Sequence, residues 1–128
     1  MPDKNYPLPL IGSKQVICLP VSFESGEQGE IPLPKLPYRV RVKRVDHVVT
    51  KALAGTNAGT VTVKKGSTVL STVTVAASAA IATENADTNP TDTPFETSDQ
   101  IRIATAKSTA GGKGLLSLTL EVLPSHSS

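Results

Sequence analysis

The chain has 128 residues and a net charge of +2, and 38% of it is hydrophobic, but only 3% is aromatic and tryptophan is absent. That length fits one domain with a single aliphatic core. One cysteine excludes an internal disulfide, no segment is long and apolar enough for a membrane-spanning helix, and the scattered basic residues lack the interleaved aromatics of a nucleic-acid surface.

Residues 1–12 hold Pro2, Pro7 and Pro9, which fix φ and remove backbone donors, so the chain is expected to open with an extended arm. Over 15–24, Ile17, Leu19, Val21 and Phe23 share one parity, with Cys18, Pro20 and Ser22 on the other. This period of two predicts a first strand. Pro20 cannot donate to a neighbour, which places that strand at a sheet edge. Residues 25–37 contain Gly26 and Gly29 and then Ile31-Pro-Leu-Pro-Lys-Leu-Pro37. They predict a loop and a polyproline-like crossing that touches a surface without joining a sheet.

The longest strand is expected over 38–50. Val40 and Val42 alternate with Arg39, Arg41 and Lys43, after which Val45 and Val49 fall on the opposite parity with His47 between them. Only an extra residue reconciles the two halves, so a β-bulge or sharp bend is predicted near Lys43-Arg44. A small-residue loop over 53–59 leads into the run Thr60-Val-Thr-Val-Lys-Lys-Gly-Ser-Thr-Val-Leu-Ser-Thr-Val-Thr-Val75. Its β-branched residues are stiff at χ1 and suit a pleated surface. A three-residue turn Lys64-Lys65-Gly66, with Gly66 left-handed, would set Val61 opposite Val69.

The alanine-rich stretch 76–86 is read as one or two helical turns crossing an end of the sheets. A polar loop follows over 87–98. Residues 99–106 form a strand with Ile101 and Ile103 inward, 107–114 a flexible hairpin loop, and 115–123 the last strand, with Leu116, Leu118, Leu120 and Val122 on one face. The fold class is therefore all-β, an antiparallel sandwich or barrel of about six or seven strands. The domain organisation is an arm over 1–12, one β-sandwich domain over 13–124 and a frayed tail over 125–128.

No constellation of reactive groups stands out. Gly111-Gly112-Lys113-Gly114 fails the phosphate-loop pattern, because Lys107 stands where its first glycine belongs and Gly114 follows the lysine where Ser or Thr should. Asp87-Thr-Asn-Pro-Thr-Asp92 resembles the start of a calcium loop but has Asp92 at the turn glycine and Ser98 at the closing glutamate. His47 and His126 have no ligand companions at metal spacing, and no Gly-x-Ser-x-Gly elbow is present. His47 reads as a partly exposed strand residue and Cys18 as a packed or half-buried thiol. No enzyme activity and no cofactor are expected.

Two features point to contacts instead. Glu84, Asp87, Asp92, Glu96 and Asp99 lie in a stretch with no Lys or Arg between Lys65 and Arg102, while Arg39, Arg41, Lys43 and Arg44 form a basic stripe. A solvated acidic loop is the plain reading; the sharper one pairs this loop with the basic stripe of another copy or another protein. Leu8, Leu10, Ile31, Leu33 and Leu36 are too apolar for an idle solvated segment, which suggests that they lie along a neighbouring surface. The interface candidates are thus Leu8, Leu10, Ile31, Leu33, Leu36, Arg39, Arg41, Lys43, Asp87, Asp92 and Glu96.

The run from Val45 through Gly59-Thr-Val-Thr-Val63 to Val69, the entry Phe95-Glu-Thr-Ser-Asp-Gln-Ile-Arg-Ile-Ala-Thr105, and Gly112-Lys-Gly-Leu-Leu-Ser-Leu-Thr-Leu-Glu-Val122 resemble small virion proteins of tailed bacteriophages. The likeness covers residues 38–123 and is a pattern of strand grammar. It points to the capsid decoration (cement) proteins. It implies a jelly-roll-like fold and a non-enzymatic role stabilising the shell from its outer surface after assembly in the host cytoplasm. The implied partners are the major capsid protein and copies of the chain itself, as a dimer or trimer, with no nucleic acid and no membrane. The alternatives are a domain associated with head or tail fibres, or a carbohydrate-binding sandwich module. Sugar platforms rely on exposed aromatics, of which two Tyr and two Phe are a small supply.

Overall fold

The computed structural model describes residues 14–124. The arm over 1–12 with Leu8 and Leu10, and the tail over 125–128, lie outside the described residues. The described chain forms eight strands: β1 (Lys14–Ser22), β2 (Gly29–Pro32), β3 (Val40–Lys51), β4 (Gly59–Lys65), β5 (Thr68–Val75), β6 (Glu84–Asp87), β7 (Ile101–Ala106) and β8 (Lys113–Val122). They make two antiparallel four-stranded sheets, β1-β8-β3-β6 and β2-β7-β4-β5. The protein is an all-β antiparallel sandwich. Its pairing is nested, since β1 pairs with β8, β2 with β7, β3 with β6 and β4 with β5.

The alternating side chains close one aliphatic core between the sheets. Leu116, Leu118 and Leu120 from β8 meet Val61, Val63 and Ile103 from β4 and β7, each no more than 1% exposed. Burying such a side chain is worth ~1.5–3 kcal/mol, which makes β8 a principal contributor. The two phenylalanines cap this core: Phe23 follows β1 and Phe95 lies in the loop before β7.

The parity shift of the longest strand is resolved as expected. The β3–β8 register slips between Val42 and Arg44, so Lys43 is the extra residue. Lys43 and Arg44 both face solvent while Val42 and Val45 both face the core. β1 is an edge strand, also as expected.

Several connections differ from the sequence reading. The β4–β5 turn has two residues, Gly66 at φ 61° and Ser67, because Lys65 pairs with Thr68. Val61 therefore stands opposite Val73 instead of Val69. A two-residue turn alone would put the wrong face of β5 inward; a bulge at Leu70, where Val63 pairs with Ser71 but Lys64 with Val69, restores it. Leu70 and Ser71 are both buried and Val69 is exposed.

The 76–86 stretch contains no helix. Ser78 and Ala82 adopt positive φ (62° and 76°), which makes two tight turns, and the chain then enters β6. Alanine's helix propensity is a weak prior for so short a piece, and pairing to β3 overrides it. Ala82 donates to the Val49 carbonyl and Val49 to the Thr83 carbonyl, so the segment zips onto β3 directly.

The proline-rich crossing does join a sheet. Gly29–Pro32 pairs with β7 as the edge strand β2. Pro32 is tolerated because an edge strand leaves one side of its backbone unpaired. Residues 107–112 are a crossover between the two sheets, not a hairpin, since β7 and β8 belong to different sheets.

Candidate interaction surfaces

The basic stripe runs along β3 on the outer side of the β1-β8-β3-β6 sheet. Arg39 Nε lies 2.9 Å from Glu96, and Arg41 Nη1 lies 2.8 Å from Asp92. Arg41 and Lys43 also approach Glu121 at 3.7 and 4.0 Å, and Arg44 holds Asp46 at 2.9 Å. Asp92 and Glu96 of the acidic loop therefore meet the stripe within one chain. The loop reaches the stripe because Phe95 bridges to Val40, accepting and donating one backbone bond at 3.1 and 2.7 Å. Ion pairs of this exposure are worth about 0–1 kcal/mol each, so Phe95 does most of the anchoring. Asp87 is engaged elsewhere, accepting from Ser71 Oγ at 2.7 Å. That bond, with Thr91 N–H donating to the Leu70 carbonyl at 2.8 Å, ties the β5 and β6 edges together.

Ile31, Leu33 and Leu36 are partly buried against the chain's own core. Part of their apolar surface is thus covered inside the domain. Leu33 is fixed there by donating to the Ile101 carbonyl at 2.9 Å.

Three carboxylates are held below their ordinary range. Glu24 accepts from the Gly112 N–H at 2.7 Å and meets Lys51 at 2.9 Å. Glu30 takes Lys64 at 2.6 Å and Arg102 at 3.0 Å. Asp99 accepts from the Glu96 N–H at 2.8 Å and lies 3.4 Å from Lys65. Each joins loop to strand or strand to strand, and none gathers with the others. Among the described residues no group of three or more His, Cys, Asp or Glu is placed to hold a metal ion.

The crossover 107–112, expected to be flexible, is pinned. Lys107 is only 6% exposed, and its ammonium donates to the Thr56 and Thr109 carbonyls. Its backbone is clamped by Gln28, which accepts from the Lys107 N–H at 2.8 Å and donates to its carbonyl at 3.0 Å. Lys107→Met removes the donors and leaves two carbonyls unmet. It is expected to lower stability by about 1–2 kcal/mol in urea denaturation; an unchanged midpoint would mean that solvent already serves those carbonyls.

His47, read as partly exposed, is 1% exposed. The bulge at Lys43 gives it the inward parity of Val45 and Val49. Its ring stands edge-on to Phe23, with centroids 6.0 Å apart and planes at 61°. Neither ring nitrogen has a hydrogen-bond partner among the described residues. Burial pushes the imidazole below its ordinary pKa of 6.5, which keeps it neutral at pH 7. Across the strand pair, Gly114 makes room for the ring.

The exposed apolar residues are Val16, Leu115, Val69 and Ile81. Val16 on β1 and Leu115 on β8 share the outer face of one sheet, with Pro20 directly opposite Leu115. Cys18 lies between Val16 and Pro20 on the same parity and is exposed, not packed. A shallow cleft of about 290 Å³ beside this strip, lined by residues of β1 including Val21 and by Ile31 of β2, marks the side where the two sheets are not tied together. An outward valine is ordinary on a strand, so the alternation by itself singles out Val16 for nothing.

A scan against protein-family models finds no match to this chain, and neither does a search of curated proteins.

Proposed function

We propose that the chain is a non-catalytic structural protein that attaches to the outside of an assembled phage shell and stabilises it, with the major capsid protein as its partner. The observation that carries this reading is the nested pairing of β1 with β8, β2 with β7, β3 with β6 and β4 with β5. A chain folded back on itself and rolled in this order is wound as a jelly roll, an architecture used by viral capsid and lectin domains. Fold alone does not fix function, so the surface must choose between these. Phe23 and Phe95 are buried and Tyr38 packs against the core, which leaves no aromatic platform for a sugar among the described residues. The exposed apolar residues Val16 of β1 and Leu115 of β8 lie on the outer face of one sheet, available for such a contact.

Co-sedimentation with assembled shells of a phage major capsid protein tests the reading. The full chain is expected to pellet with the shells. A chain lacking residues 1–12 is expected to bind at least about tenfold more weakly, which is about 1.4 kcal/mol. A full chain that stays in the supernatant, or a truncated one that binds equally well, overturns it.

A further inference from the structure

One side of the sandwich is closed by the Ser71–Asp87 and Thr91–Leu70 bonds, but on the other side β1, nine residues long, is an open edge among the described residues. Phe23 directs its N–H and C=O toward the β8 side, donating to Gly112 at 2.8 Å and accepting from Gly111 at 2.9 Å. Strand backbone groups alternate in direction. Those of Val21, Leu19 and Ile17 therefore turn toward β8, and those of Ser22, Pro20, Cys18, Val16 and Lys14 turn toward the open edge. A long edge strand with exposed apolar side chains is a template for another strand. Here Val16 is 61% exposed, and Leu115, opposite Pro20 and four residues further along the same outer face, is 39% exposed.

We infer that this edge is the interface of a symmetric dimer, in which β1 pairs antiparallel with β1 of a second copy about a twofold axis through Cys18. The strand is self-complementary in that register. Read outward from Cys18, Ile17 meets Leu19, Val16 meets Pro20, Gln15 meets Val21 and Lys14 meets Ser22 of the other copy. On the outer face this covers Val16 with the apolar ring of Pro20, so that Leu115, Pro20 and Val16 of the other copy line up in one apolar row across the sheet. On the inner face, Ile17, only partly buried in one chain, gains the cover of Leu19. Charge agrees with the same register. Ser22 Oγ donates to Glu27 at 2.6 Å, so the Lys14 that faces Ser22 also faces Glu27 of the other copy. Neither Lys14 nor Glu27 has an ion-pair partner among the described residues. An isologous contact makes each such pair twice. Pro20 lacks one donor and so leaves one carbonyl of Val16 unmet per copy, a cost of two ladder bonds that the apolar and charged contacts of the same register must offset.

The inference concerns the chain by itself and needs no shell. Sedimentation velocity on the full chain, at roughly 1 to 100 µM as suits a small interface, is expected to show a species of twice the monomer mass that grows with concentration. A short bismaleimide should link Cys18 to Cys18 in the native protein and lose that yield in denaturant. Cys18→Pro removes an edge-facing donor without touching the β8 ladder, and Val16→Lys charges the exposed strip; both are expected to sediment as folded monomers. Val16→Lys keeps the test valid should the proline variant not fold. A full chain that is monomeric throughout, a dimer unchanged in folded Val16→Lys, or a closed trimer overturns the inference. So does a chain that dimerises only after residues 1–12 are removed, which would give the edge to the chain's own N-terminal segment.

Discussion

Gly114→Ala is expected to cost about 3 kcal/mol or more, a large fraction of the stability of a domain this size. A Cβ at this position would run into the His47 imidazole, and it would also come within 2.8 Å of the Val48 carbonyl, which is backbone and cannot swing away. Gly114 sits in β8 opposite both Val21 of β1 and Val49 of β3, so any relief must spread through the central ladder of the sheet. Overpacking of a closed core ordinarily costs about 1–3 kcal/mol, and a clash with both a ring and a carbonyl belongs at the upper end. The measurement is urea denaturation followed by circular dichroism. Adding His47→Ala to the variant removes the ring but not the carbonyl, so only part of the loss should return; complete rescue would show that the backbone yields freely there. A Gly114→Ala protein as stable as the parent would mean that the ring has somewhere else to go.

Acid is expected to weaken the fold well above the carboxylate range, and His47 is the cause. Its folded pKa is depressed by burial, so the unfolded chain binds a proton that the folded chain refuses. The unfolded state therefore holds more protons just below pH 6.5, and stability falls as pH falls through that window. Above 6.5 the contribution is complete; below the folded pKa it changes no further. One proton limits the slope to about 1.4 kcal/mol per pH unit. Glu24, Glu30 and Asp99 are also depressed, but their losses begin only below their ordinary values of 4.5, 4.5 and 3.8. The two regimes are thus separable. Denaturation midpoints measured from pH 7.5 to 5 should decline in the parent and stay level in His47→Leu, which fills the site with a side chain that does not titrate. A parent whose midpoint is flat across that range would place the imidazole in contact with solvent.

The strands rich in valine, isoleucine and leucine were legible because their alternation is local. So was the bulge at Lys43, since the parity of Val42 and Val45 conflicts within four residues. β6 was not legible, because Glu84-Asn-Ala-Asp87 has no strand propensity and exists only through its pairing with Val45 to Val48. β2 was hidden by its prolines, whose meaning changes once the strand is known to be at an edge. The burial of His47 did have a signal: it shares parity with Val45 and Val49, and a glycine inside the apolar strand 113–122 hints at close approach by another group. The ion pairs show the limit most clearly. Arg39 and Glu96 are complementary in the sequence, but whether they meet in one molecule or between two depends on where Phe95 docks, and no local pattern encodes that.

The nesting of β1 with β8 has a consequence for biosynthesis. β8 is the neighbour of both β1 and β3, so until residues 113–122 have been made β1 has no strand partner and β3 has only the short β6. The ribosome must therefore release nearly the whole described chain before this half of the sandwich can assemble. Distant segments must find each other in one slow, concerted search. During that interval the nascent β1 and β3 ribbons are open to chaperones and to neighbouring polysomes, so translation speed and crowding bear on yield as much as the finished molecule's stability does.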